Sequence, residues 1–136
     1  IGAEVDVRDT PEILRLANVQ HLATAVTATV PAGWDALHLA ELLHPTAAVG
    51  GTPTDAAVRV IEELEGMDRG RYAGPVGWMD GRGDGEFAIA LRCAELSGAR
   101  ARLFGGAGIG AGARPEAGPD EPRVRLGAMM GALGAE

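Results

Sequence analysis

The sequence predicts an α+β fold, an antiparallel β-sheet with helices packed on one face. Two observations predict it. Between Tyr72 and Ile109, apolar residues alternate in three runs joined by short glycine-containing connections, the pattern of β-hairpins. Between Asp35 and Leu64 they recur instead at helical spacing, bounded by proline and glycine. The 136 residues suffice for one domain but not comfortably for two, so 1–136 reads as a portion of a single domain.

Residues 1–18 are acidic and weakly helical around Pro11-Glu12-Ile13-Leu14, and 1–20 reads as an arm continuing from upstream. His21–Val30 is β-branched and Ala-rich, the composition of a strand, and Pro31-Ala32-Gly33 breaks it. Asp35–His44 suits a short helix with Leu39, Leu42 and Leu43 on one face, stopped by Pro45. A second helix has the clearest start: Thr52 as cap, Pro53 at the first helical position, Asp55 in the first turn. Ala57, Val60, Ile61 and Leu64 give it an apolar stripe, and Gly66 ends it. The alternating runs Gly74–Asp80, Glu86–Leu96 and Arg100–Ile109 predict a three-stranded antiparallel meander. Residues 110–121 are Gly/Pro-rich and irregular, and a last helix is expected from Pro122 to Leu133.

Composition narrows the function. A net charge of −7 leaves no basic stripe to neutralise phosphates, which argues against nucleic-acid and anionic-membrane partners. Cys93 is the only cysteine, so no internal disulfide is possible, which fits a reducing cytoplasm. No apolar run approaches the roughly 20 residues of a membrane span. The N-terminus, Ile1-Gly2-Ala3-Glu4, is not a signal peptide and lacks an initiator Met, so a fragment or processed chain is expected. Aromatics are only 4% of the chain, and Trp34 and Trp78 read as core anchors.

If the middle run is one strand, Phe87, Ile89, Leu91 and Cys93 point one way, and Ala88, Ala90, Arg92 and Ala94 the other. Small residues around one arginine leave room for a carboxylate to meet the guanidinium fork; a solvated face or a structural ion pair is the alternative. Gly105-Gly106-Ala107-Gly108 weakens its strand, as expected where a ligand or a crossing helix lies against the backbone. His44 reads as a helix C-terminal cap, with general base as the alternative. His21 and His38 show no metal spacing with each other or with Cys93, and Glu62, Glu63 and Glu65 read as the solvated face of their helix.

Five stretches together resemble the chorismate-binding enzymes: HLAT at 21–24, LHPTAAVGGTP at 43–53, IEELEGMDRGRYAGPVGWMD at 61–80, GDGEFAIALRCAEL at 83–96 and RLFGGAGI at 102–109. His44-Pro45-Thr46 and the stretch from Arg71 to Trp78 resemble the isochorismate synthase branch. The resemblance implies the C-terminal portion of the anthranilate synthase component I-like fold, with chorismate as substrate. It implies that Arg92 binds a chorismate carboxylate, that Gly106 gives a backbone contact to the carboxylate, and that Ala48, Val49, Tyr72, Leu91 and Phe104 surround the ring and side chain. Glu121 matches a carboxylate that helps hold Mg²⁺, an ion that keeps several waters and takes few carboxylates.

The reaction so implied adds water at C2 of chorismate and removes the C4 hydroxyl, with a lysine as base and a glutamate as acid on opposite sides of the ring. In the family both lie upstream. This sequence has no lysine, and all 12 of its basic residues are arginines, too basic to accept a proton readily. No catalytic acid or base is therefore assigned here; both are expected from a missing N-terminal half of the same fold. The end of the chain departs from the family pattern: Gly118 replaces an acid, Arg125 replaces a lysine, and Pro119 and Pro122 interrupt a helix. Three readings follow: an incomplete isochorismate synthase, a non-catalytic remnant or chorismate-binding module, and a salicylate- or anthranilate-type chorismate enzyme. Isochorismate would feed siderophore or menaquinone synthesis. A fold cut in this way would expose sheet edges, so self-association is expected.

Overall fold

In a computed structural model that describes residues 1–16, 20–114, 126–127 and 129–134, the chain forms two units, Ile1–Asp35 and Ala36–Glu136. The first unit contains strands where a weak helix was expected. β1 (Glu4–Val7) pairs antiparallel with β4 (Val26–Thr29), and β2 (Glu12–Arg15) with β3 (Gln20–Ala23). The two ladders are nested, as in one long hairpin interrupted on both arms, around Asp9-Thr10-Pro11 and Thr24-Ala25. Val5 faces Ala28 and Ile13 faces Leu22, and such cross-strand pairs override a weak helical preference. The single strand expected over His21–Val30 is split by the same interruption.

In the second unit, α1 (Ala36–Leu43) ends before Pro45 as expected. Its first N–H, on Ala36, donates to the Gly83 carbonyl at 3.0 Å, and the helix packs on the hairpin of β5 (Pro75–Met79) and β6 (Gly85–Ile89). A Cβ at Gly85 would meet the Trp78 carbonyl oxygen across the ladder and lie 2.9 Å from the Ala36 Cβ, so a side chain there would disturb both the hairpin and its packing against α1. The hairpin turn is fixed by Asp80, whose Oδ1 accepts the N–H groups of Arg82 and Asp84 at 2.8 and 3.1 Å. These bonds, the Arg82 N–H first, hold the Asp80 carboxyl below the usual range.

α2 (Ala47–Gly50) was not expected; it packs on α3 (Thr54–Glu65). The start of α3 corrects the expected cap. Pro53, extended at φ −65° and ψ 137°, is the N-cap, and Thr54 begins the helix with its hydroxyl donating to the Gly51 carbonyl at 3.2 Å. Gly66 ends it in the left-handed conformation, as expected.

The three-stranded meander is overturned. The middle run is two strands, β6 and β7 (Cys93–Ser97); β5 pairs with β6, and β7 with β8 (Arg100–Phe104), as separate ladders. The break falls at Ala90-Leu91-Arg92. The Leu91 N–H donates back to the Ile89 carbonyl at 2.8 Å, a three-residue turn, and Arg92 takes φ +48°. Side-chain alternation does not carry through a left-handed residue, so Arg92 no longer shares a face with Ala88 and Ala90 by pleat. The α+β class stands.

Among the described residues, the buried apolar side chains are Tyr72, Ala73 and Phe104. Trp34 and Trp78, expected in the core, are 36% and 57% exposed. Two-stranded ladders are marginal alone, and their open edges template pairing with other chains. The isolated chain is expected to self-associate (hypothesis) in sedimentation velocity at micromolar concentration; a monodisperse monomer with a sharp melting transition would overturn that. Among the described residues, no helix is long and apolar enough to cross a membrane.

Candidate functional site

Tyr72 and Phe104 stack with ring centroids 5.3 Å apart and planes 16° from parallel. They come from distant parts of the sequence and are joined through backbone. The Ala73 N–H donates to the Ala90 carbonyl at 2.9 Å, and the Ala90 N–H to the Gly74 carbonyl at 2.8 Å, so the segment after Tyr72 extends the β5–β6 ladder. Three residues on, Cys93 pairs with Phe104 across β7–β8. The connector carrying Leu91 and Arg92 is thus pinned at one end beside Tyr72 and at the other beside Phe104. Val49 and Cys93 pack against the buried cluster.

Gly106 meets it too. A Cβ built there would lie 2.5 Å from the Tyr72 Oη, closer than real Cβ contacts come. That is a packing reason for the glycine. Of the residues singled out from sequence, Val49, Tyr72, Phe104 and Gly106 therefore converge. Leu91 and Arg92 sit exposed on the connector beside them. Ala48 is exposed on α2, next to Val49 but outside the cluster. Glu121 lies outside the described residues, as does most of the expected last helix; 126–127 and 129–132 are helical.

Arg92 holds its left-handed backbone without glycine's freedom. Non-glycine residues in that region cost of order 1 kcal/mol and cluster at functional sites. Among the described residues none bonds its guanidinium, so of the two alternatives considered from sequence the structural ion pair is not formed there, while the exposed side chain fits the solvated face.

Sequence reasoning missed Arg69. Its Nε donates to the Glu65 Oε2 at 2.7 Å and its Nη2 to the Glu65 Oε1, a two-pronged ion pair across the end of α3. Its Nη1 donates to the Val49 carbonyl at 3.3 Å, and its guanidinium lies 5.5 Å from the centre of the Tyr72 ring. The hydrogen bond to Glu65 raises the Arg69 pKa, and the same bond holds the Glu65 carboxyl below the ordinary range. A lowered carboxylate pKa gives stability that is full above the ordinary glutamate value and is lost as pH falls through the lowered one. Glu65 is therefore not simply solvated, whereas Glu62 and Glu63 are exposed as expected. The signal was present as acid and base four residues apart, straddling Gly66.

A cleft of about 460 Å³ borders the cluster, lined by His44, Val49, Ile61, Glu65, Arg69 and Tyr72 among others; Arg92, Phe104 and Gly106 do not line it. His44 follows α1 with its N–H donating to the Ala40 carbonyl at 3.1 Å, so the backbone finishes the helix there. A second cleft, of about 320 Å³, lies between α1 and the hairpin; the Thr46 hydroxyl, which borders it, is buried with no partner among the described residues. Among the described residues no three His, Cys, Asp or Glu side chains cluster to hold a metal.

A family profile described as chorismate binding enzyme matches residues 1–134. The chain belongs to the chorismate-binding enzyme family. It is 42% identical over 134 residues to the isochorismate synthase MenF of Bacillus subtilis, covering 98% of this chain and 28% of that protein. It is 45% identical over 131 residues to the salicylate biosynthesis isochorismate synthase of Pseudomonas aeruginosa, covering 96% and 28%. A crystal structure described as a 2,3-dihydroxybenzoate-specific isochorismate synthase, DhbC, from Bacillus anthracis superposes with a TM-score of 0.90 at 35% identity, covering 98% of this chain and 36% of that one. The chain thus spans about a third of the length of the chorismate-binding relatives it matches.

Proposed function

We propose that this chain is the carboxylate-binding part of an isochorismate synthase, which converts chorismate to isochorismate by adding water at C2 and releasing the C4 hydroxyl as water. One observation carries the reading: Val49, Tyr72, Phe104 and Gly106 meet in one cluster, with Arg92 on a connector pinned to that cluster at both ends. In this reading the Arg92 guanidinium takes one carboxylate in its planar fork. The Gly106 N–H donates to the carboxylate, and Tyr72, Phe104, Val49, Leu91 and Ala48 wall the ring and side chain. In this reading the acid and base come from outside these residues, as the family resemblance implies, and the chain has no lysine of its own to serve as the base.

Mg²⁺ belongs to the proposal through Glu121, which would contribute one carboxylate; bound, the ion would anchor the substrate's ring carboxylate. We further propose that the separate ladders join a larger antiparallel sheet with helices on one face in the complete fold, and that the protein works in a reducing cytoplasm, feeding siderophore or menaquinone synthesis. A second reading is a chorismate-binding module without turnover, favoured by the departures from the family pattern at Gly118 and Arg125.

The test is to incubate the isolated chain and the complete protein that carries it with chorismate and Mg²⁺, and to separate products by chromatography. Isochorismate from the complete protein alone is the expected outcome. Isochorismate from the isolated chain would place a base among these residues. Salicylate as the first product would move the assignment to that branch, and binding without turnover by the complete protein would support the second reading.

A further inference from the structure

Arg69 touches two parts of the candidate site that no backbone ladder joins. Val49 lies on α2, ahead of α3, and Tyr72 lies beyond the end of α3. Arg69 donates to the carbonyl of the first and covers the ring of the second, while both prongs of its fork are held by Glu65. Its own carbonyl accepts the Tyr72 N–H at 2.8 Å. A planar guanidinium suits this work, because it bonds a carboxylate, a carbonyl and a ring face together without changing rotamer; an ammonium on a flexible stem does not. The pair is partly shielded, with side chains 27% and 31% exposed, so water and salt screen it less than an ordinary surface pair.

We propose that Glu65 and Arg69 form a positioning clamp that fixes the separation of Val49 and Tyr72, and thereby the width of the chorismate-binding wall. The clamp does not touch substrate and takes no part in proton transfer. It rests on the chorismate reading above and predicts where binding strength is set. Loosening it lets α2 and Tyr72 drift apart, and the substrate is held less tightly while acid and base act at an unchanged rate once it is seated.

The experiment uses the complete protein carrying these residues, with Arg69→Ala, Arg69→Lys and Glu65→Gln, and 3-fluorotyrosine placed at position 72 as a resonance probe. Arg69→Ala is expected to raise KM for chorismate about tenfold with kcat within about twofold of wild type, Arg69→Lys and Glu65→Gln falling between. The fluorine resonance is expected to shift in the same order. A purely structural role would lower the active fraction, and so kcat, and leave KM alone; that result overturns the clamp, as does an unmoved resonance. If Arg69→Ala fails to fold, the two conservative variants decide by the same criteria. A wild-type protein that neither binds nor converts chorismate overturns the underlying reading, and the clamp with it, before any variant is compared.

Discussion

Replacing Arg92 with alanine is expected to weaken chorismate binding by about 100-fold or more. A charge-assisted bond to a carboxylate contributes about 1.5–3 kcal/mol, and the fork makes two of them. Arg92→Lys should recover little, because a point charge does not reproduce the planar pair. The backbone offers a sharper discrimination than either variant. Arg92 is held at φ +48°, where a side chain is strained and glycine is not. Arg92→Gly is therefore expected to leave stability unchanged or raise it by up to about 1 kcal/mol, while losing binding as fully as the alanine variant. Titration calorimetry with chorismate and thermal melting, both on the complete protein, measure the two effects. A stability loss in Arg92→Gly with affinity intact would mean that the arginine holds the fold and not the ligand.

That strain also explains what sequence could and could not reveal. Apolar alternation over Glu86–Leu96 is equally consistent with one long strand or two short ones, since pleat and turn both pass through Ala90-Leu91-Arg92 without a glycine or proline to mark the break. The hairpins were legible because Gly81-Arg82-Gly83-Asp84-Gly85 and Gly98 announce their turns; the split was not, because an arginine occupies a position that glycine would ordinarily mark. The same reasoning covers the first unit, where Pro11 and the acidic residues obscured the alternation of Val5, Val7 and Ile13 and cross-strand pairing decided the outcome. Helix ends fared better: Gly66 and Pro45 act locally, and local signals survive without tertiary context. The site divides likewise. Tyr72, Phe104, Val49 and Gly106 came from the family pattern and the structure brings them together. Arg69 carries no motif of its own beyond its spacing from Glu65, and only the fold shows that it reaches Val49 and Tyr72.

The contact between Gly106 and Tyr72 allows the most specific test of that site. An alanine Cβ at 106 would sit 2.5 Å from the Tyr72 Oη, with the next ring atom, Cζ, at 3.7 Å. The ring has little room to retreat: it is 9% exposed, stacked on Phe104 and covered by Arg69. Gly106→Ala must therefore move the ring or the backbone by roughly 1 Å to reach an ordinary contact of about 3.5 Å. A displacement of that size in a binding site is expected to cost about 100-fold in kcat/KM, and the overpacking about 1–3 kcal/mol in stability. Tyr72→Phe deletes the offending oxygen and leaves the stack, so alone it should be mild. Combined with Gly106→Ala, it should restore most of both losses, because the Cβ would then meet only Cζ at an ordinary distance. The alanine keeps its N–H, so the proposed backbone bond to the carboxylate survives in the double variant. Steady-state kinetics and melting of the four proteins complete the cycle. A double variant as impaired as Gly106→Ala would show that position 106 needs glycine for the ligand's approach and not for the tyrosine's.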